Sequence, residues 1–263
     1  MNSAALHPML VADAGNSSVK FALVSRPGAR PRPLARLANE SLAAPQVQRV
    51  ARSAKARSAV AASVVPAITR ILTDAIPDLA VIGPATPLEF PCLADRRVTG
   101  ADRLANMAAA ARLHGRRVLV ADFGTAATFD ALDARGRFVG GAIAPGLRGL
   151  GRTLAAATAL LPETTLLRPR RLAGRNTGEA LRAGLLAGYA GLVRHLLDGL
   201  GREVFGRQRP LLVLTGGDAA AVARLAGLTG IVDPLWTLRG IAILGGGGVR
   251  EASKQARSGA ARR

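Results

Sequence analysis

Apolar positions along this chain come in short runs, and the spacing between them switches between two periods. Around an Asp-Ala-Gly turn, residues 10–12 and 19–23 read as the two strands of a hairpin. Residues 59–65 read as a buried strand, 66–75 as a helix and 79–82 as a further short strand. Between them, residues 26–36 are rich in Pro and Arg, which predicts an exposed loop. The clearest helix opens at Thr99-Gly100-Ala101-Asp102. It carries Leu104, Met107, Ala108 and Ala111 on one face and stops at Gly115. Downstream, 139–143 reads as a strand and Pro145-Gly146 as a turn. Helices are predicted over 147–160, 177–200 and 219–225, with an apolar strand over 211–214. An apolar segment at 241–244 precedes four glycines, and 251–263 reads as a basic, frayed tail.

The first hairpin has an echo. The run Leu10-Val11-Ala12-Asp13-Ala14-Gly15 and its continuation to Leu23 return at Leu119-Val120-Ala121-Asp122-Phe123-Gly124 and on to Leu132. The offset is 109 residues, and seven of the fourteen positions are identical. Two copies so widely spaced are not a solenoid array. They predict two α/β domains of similar design, over 1–115 and 116–250, each opening with a hairpin.

Composition narrows the class. With 49% hydrophobic residues among 263, the chain can bury a sizeable core. Its single cysteine, Cys92, permits no internal disulfide and suits a reducing cytoplasm. The start lacks the pattern of a signal peptide, and no apolar run is long enough to predict a membrane span. The net charge of +19 invites a polyanion partner. However, three of the 36 basic residues are lysines and the rest are arginines scattered along the chain. Six Phe, one Trp and one Tyr leave few platforms for stacking bases. A solvated basic surface is the stronger reading, and nucleic acid is not expected as a partner.

Several chemistries are absent by pattern. No Gly-Lys dipeptide exists for a Walker loop, no Gly-x-Ser-x-Gly elbow is present, and His7, His114 and His195 lack metal spacing. What remains is turn chemistry. In Asp13-Ala14-Gly15-Asn16-Ser17-Ser18-Val19-Lys20, glycine permits a tight turn whose N–H groups, with the Asn and Ser side chains and a lysine, suit a phosphate; Asp13 suits a water-mediated Mg²⁺. An ordinary hairpin turn is the competing reading. Asp122-Phe123-Gly124-Thr125 is the second copy. There Thr125 suits phosphate oxygens and Asp122 suits a cation, or Asp122 merely fixes the turn. Thr215-Gly216-Gly217-Asp218 allows close approach of a flat ligand. Thr99 and Asp102 have the spacing of a loose capping box. The helix dipole and Arg103 are expected to lower the pKa of Asp102, leaving a weak but ionised base.

Taken in order, these segments resemble the type III pantothenate kinases, of the acetate and sugar kinase, Hsp70 and actin superfamily. The resemblance is carried by Asp13 to Lys20, Gly100-Ala101-Asp102-Arg103, Asp122 to Thr128, Gly140 to Leu147, Asn176-Thr177-Gly178-Glu179-Ala180 and Thr215 to Ala219. It implies two ribonuclease H-like (actin-like ATPase) domains with a nucleotide cleft between them. It further implies phosphorylation of pantothenate by ATP, the first step towards coenzyme A. Asp102 would be the base, with Gly100, Ala101, Arg103 and Thr177 binding pantothenate, the last often across a homodimer interface. Asp13, Ala14, Gly15, Asn16, Ser17, Ser18, Val19, Lys20 and Thr125 would bind ATP. Asp122 would hold a monovalent cation, K⁺ or NH₄⁺, and Mg²⁺ would bridge the phosphates. One departure stands out. The family carries a Tyr shortly before the glycine matching Gly100, and that place, near Leu93, has none; Phe90 is the nearest aromatic. A divergent nucleotide-binding regulator, or a kinase of another small acidic substrate, remains the alternative.

Overall fold

The computed structural model describes residues 8–156 and 171–247. The helix expected over 147–160 is described to Ala156, and the tail expected over 251–263 lies outside the described residues. In chain order the elements are β1 (Met9–Ala14), β2 (Ser18–Val24), β3 (Arg32–Ala38), α1 (Ala44–Ala54), β4 (Ser58–Ser63), α2 (Pro66–Ala75), β5 (Ala80–Val81) and α3 (Ala101–His114). There follow β6 (Val118–Phe123), β7 (Ala126–Leu132), β8 (Phe138–Pro145), α4 (Leu147–Ala156), α5 (Thr177–Phe205), β9 (Leu211–Thr215), α6 (Ala219–Ala226), β10 (Ile231–Val232) and α7 (Trp236–Gly247).

The echo in sequence is an echo in topology. One five-stranded sheet has the order β3-β2-β1-β4-β5, and the other has β8-β7-β6-β9-β10. In each, the central strand pairs antiparallel with the next strand in sequence and parallel with the strand that follows a helix. This mixed sheet order is that of the ribonuclease H-like fold, present twice. The pairing also corrects the ungapped alignment. Ala12 faces Phe21 and Ala121 faces Phe129, so the offset of 109 on the first strand becomes 108 on the second. The second turn is one residue shorter. Lys20 thus corresponds to Thr128, each lying opposite the turn aspartate.

The chain divides into two compact units. The first comprises the described residues up to Arg116, with Arg135–Val139 and those from Leu235 onward; the second comprises Arg117–Ala134 and Gly140–Pro234. One unit edge falls between Arg116 and Arg117, whereas the sequence divides the chain at 115/116. The glycine-ended segment at 241–244, expected in the second domain, lies in α7 within the first unit. There α7 packs along α3, and a Cβ at Gly240 would run into the Ala105 carbonyl, so these helices touch through backbone. The indole N–H of Trp236 donates to the Asn106 carbonyl at 3.1 Å. In the first unit, Leu10, Ala12, Val19, Phe21, Val47, Ile68 and Leu72 fill the core between one sheet face and α1 and α2.

Two further expectations change. Residues 26–36 are not a loop throughout: β3 begins at Arg32 and forms the sheet edge. An edge strand tolerates Pro33, which falls beside a bulge between Phe21 and Ala22, and arginines on an edge discourage pairing with other chains. The amphipathic α1, with a proline in its first turn and Val47 and Ala54 buried, had no counterpart in the reading of the sequence. Among the described residues, no helix is long and apolar enough to cross a membrane.

Candidate active site

In the first unit the residues of interest gather at the β1–β2 turn and the start of α3. The Gly15 N–H donates to the Ser18 carbonyl at 3.2 Å, closing the turn. Asn39, in a short 3₁₀ turn after β3, donates through Nδ2 to the carbonyls of Gly15 (2.8 Å) and Asn16 (2.9 Å). Arg36 Nε donates to Ser18 Oγ at 3.0 Å. Carbonyls that would repel an anion are thereby engaged, while Asn16 and Ser17 stay exposed. Neither Asn39 nor Arg36 was legible as a support, because Arg36 reaches the turn from the neighbouring β3 and Asn39 from the 3₁₀ turn after it. The side chains of Ala14 and Val19 are core, so these two positions can offer a ligand backbone groups alone. Asp13 is buried and accepts from Lys20 Nζ at 3.2 Å, directly across the strand pair.

The capping box expected from Thr99 and Asp102 does not form. Gly100 is the N-cap of α3 and no side chain caps it, because Thr99 donates to the Asp95 carbonyl instead. The Asp102 carboxylate folds back towards Gly100, where a Cβ would lie 2.5 Å from Oδ1, and accepts from the Arg103 N–H at 2.8 Å. The expected fall in the Asp102 pKa is also overturned. Burial raises it, and the nearby Asp13 charge adds to the rise; Arg103 opposes without prevailing. Asp102 is a stronger base than an ordinary carboxylate. Ala101 is buried beside it, and the Arg103 guanidinium lies 5.9 Å above the Phe138 ring.

Phe90 is the aromatic nearest to the place of the family's Tyr. It is buried and lines a cavity of about 140 Å³ with Ala108, Ala111 and Arg112, two turns along α3 from Asp102. Leu93 is exposed, but its N–H donates to the Phe138 carbonyl at 2.8 Å. The ring beside Arg103 is that of Phe138, which lies 45 positions after Leu93 and carried no local signal.

In the second unit Asp122, Gly124 and Thr125 form the β6–β7 turn, with Gly124 and Thr125 exposed. Gly216 follows β9 at φ +93°, and a Cβ there would strike Asp122 Oδ1 and the Phe123 carbonyl. Glycine is thus required where the strand end presses on the turn. Gly146 donates its N–H to the Thr125 carbonyl at 3.1 Å and is just as tightly packed on the turn. The N–H of Asp218 donates to the Phe123 carbonyl at 3.1 Å. Its buried carboxylate accepts from Arg148 Nε at 2.9 Å and 3.2 Å. Burial, with the charge of Asp218, pushes Tyr189 up to about 12, so that phenol stays neutral. Thr177 is exposed at the first position of α5, behind an N-cap in which Asn176 accepts from the Glu179 N–H at 2.9 Å.

Cys92, His114 and His195 take no part in these clusters. The Cys92 thiol is half-buried, donates to the Ala94 carbonyl at 3.4 Å and has its pKa raised by burial. His114 stacks on Trp236, and His195 is exposed.

Known proteins place this arrangement. The family model for type III pantothenate kinase matches residues 9–199. A type III pantothenate kinase of Methylacidiphilum infernorum is 34% identical over 90% of this chain and 88% of its own length. One of Moorella thermoacetica is 39% identical over 70% of this chain and 74% of its own length. In fold, the chain is similar to the activator of 2-hydroxyisocaproyl-CoA dehydratase from Clostridium difficile, solved with ADPNP bound. The TM-score is 0.55 at 15% identity, over 94% of this chain and 97% of that one. With the family motifs in order on a twice-repeated ribonuclease H-like sheet, the chain belongs to the type III pantothenate kinase family.

Proposed function

We propose that this chain transfers the γ-phosphoryl group of ATP to the primary hydroxyl of pantothenate, giving 4′-phosphopantothenate and ADP. The observation that carries this reading is the Asp102 carboxylate: held at the start of α3, folded towards Gly100, and made more basic by burial. As the oxygen–phosphorus bond forms, the hydroxyl proton passes to Asp102, and the bond from the γ-phosphorus to the bridging oxygen breaks to leave ADP. A base of moderate strength suffices, because little proton transfer precedes the loose transition state. Gly100, Ala101 and Arg103 line the acceptor. Thr177 contacts the substrate in a homodimer.

The turn from Asp13 to Lys20 and the Thr125 hydroxyl hold the phosphates of ATP through N–H groups and side-chain donors. Among the described residues no cluster of three or more His, Cys, Asp or Glu exists, so no side-chain cage for a divalent ion is present there. Asp13 would hold Mg²⁺ through water, and the ion would supply positive charge to the phosphates. Asp122, a single carboxylate beside turn carbonyls, suits a weakly charged ion such as K⁺ or NH₄⁺. Held there, such an ion would supply positive charge near the phosphates.

The test is ADP release by purified protein with ATP, Mg²⁺ and K⁺, with and without pantothenate, followed by mass spectrometry of the product. Pantothenate-dependent ADP with a phosphopantothenate mass is expected. Equal ADP release in its absence would overturn the reading.

A further inference from the structure

Transfer of a phosphoryl group from ATP needs cations around a highly charged triphosphate, and this chain has no Walker lysine to supply one. The lysine expected from sequence, Lys20, is already committed. Its ammonium is 3.2 Å from the buried Asp13 carboxylate, which balances its charge. In the second unit a different cation is better placed.

Arg148 is the second residue of α4 and lies two positions after Gly146. Gly146 is bonded to the Thr125 carbonyl and packed on the phosphate turn without room for a Cβ. The partner of Arg148 is pinned to the same turn, because the Asp218 N–H donates to Phe123, immediately before Gly124. The two side chains meet through one edge of the guanidinium. Nε donates to both Asp218 oxygens at 2.9 Å and 3.2 Å, and the Nη atoms make no hydrogen bond to that carboxylate. Exposure is divided unequally: the Arg148 side chain is 64% exposed and that of Asp218 is 10% exposed. A buried carboxylate therefore fixes the orientation of an open guanidinium. Tyr189, the buried phenol beside Asp218, remains neutral at working pH and does not compete for the arginine.

We infer that Arg148 is a phosphate-binding residue for the nucleotide, presenting its Nη groups to the triphosphate. Asp218 is its positioning residue. Guanidinium suits this task because its planar fork pairs two N–H groups with two phosphate oxygens, and the Nε contact fixes the plane in advance. The inference rests on ATP being the phosphoryl donor but not on pantothenate being the acceptor.

The experiment compares the wild type with Arg148→Ala, Arg148→Lys, Asp218→Asn and the Arg148→Ala/Asp218→Asn double variant. Calorimetry measures binding of ADP, ATP and adenosine; steady-state kinetics follow where turnover exists; a thermal melt checks folding. Arg148→Ala is expected to weaken ADP and ATP binding roughly 10-fold or more, as loss of charge-assisted hydrogen bonds does, while adenosine binding is unchanged. KM for ATP rises and KM for pantothenate does not. Arg148→Lys retains part of the affinity. Asp218→Asn weakens ADP binding less than Arg148→Ala, and the double variant is no worse than Arg148→Ala. Equal loss for ADP and adenosine would reduce Arg148 to a structural brace and overturn the inference, as would an unchanged ADP affinity. A wild type that binds ADP but does not phosphorylate pantothenate would sink the proposed acceptor and leave the nucleotide comparison valid.

Discussion

The two hairpins began as the same motif and handle charge in opposite ways. In the first, the turn aspartate is buried, paired with Lys20 across the strand and close enough to Asp102 to raise its proton affinity. In the second, the corresponding Asp122 is less buried, lies opposite Thr128 instead of a lysine, and is pressed by Gly216. The hairpin backbone is the same in kind in both, while the side chains opposite the aspartate differ. The first hairpin, through Asp13, raises the proton affinity of Asp102, the base proposed above. The second sets a threonine opposite its aspartate, and its fixed positive charge is Arg148, held by the Asp218 carboxylate 70 positions away.

The sharpest way to break this comparison is at the base. Asp102→Asn should lower kcat by about 10²-fold or more, measured as pantothenate-dependent ADP release, with folding intact. Wild-type turnover would place the proton acceptor elsewhere. The sign for stability is opposite. The folded state raises the pKa of Asp102, so its ionised form detracts from stability at pH values above that pKa. Asparagine removes the cost, and the melting temperature at pH 7 should hold or rise. The same shift places the acid limb of the wild-type rate profile above the range of an ordinary carboxylate.

Next in size is the pressure on the second turn. Gly216→Ala must strain a positive φ and meet Asp122, and should cost at least about 1–3 kcal/mol in urea unfolding. Gly15→Ala in the first turn meets its nearest neighbour, the Ser18 carbonyl, at 3.9 Å with no positive φ, and should stay within about 0.5 kcal/mol of the wild type. Equal effects would mean that the two turns are not packed differently after all.

A subtler exchange transplants the first hairpin's charge into the second. Thr128→Lys sets an ammonium opposite Asp122 and should remove the dependence of turnover on K⁺. Unchanged K⁺ dependence would take the ion away from Asp122. The smallest effect is expected at Phe90→Leu: KM for pantothenate should stay within twofold of the wild type, because the ring faces the cavity beside Ala108 and Ala111. A large rise would restore Phe90 as a substrate contact.

The hairpins were legible because an Asp-x-Gly turn between apolar strands is a local signal repeated at a constant offset. The one-residue shortening of the second turn was not, since an ungapped match still paired half of the positions. The strand at 32–38 was hidden by Pro33 and its arginines, which are tolerated at a sheet edge. The helical state of α7 was hidden by glycines whose merit is close contact with α3, a tertiary reason that local propensity does not record. The basicity of Asp102 was misread because its sequence neighbours are favourable while burial, a property of the folded unit, acts the other way. The Arg148–Asp218 pair spans 70 residues and had no sequence pattern of its own.

The packing of α7 along α3 has a bearing on how the protein is made. A ribosome delivers the chain from its N-terminus at about 5–20 residues per second. The sheet of the first unit and the helix over 101–114 emerge early, but the surface of that helix around Ala105 is covered by residues from 236 onward. During synthesis of the intervening second unit, an apolar helix face waits without its lid. The first unit to be started is thus the last to be completed, and the nascent chain is vulnerable to association with other chains throughout that interval.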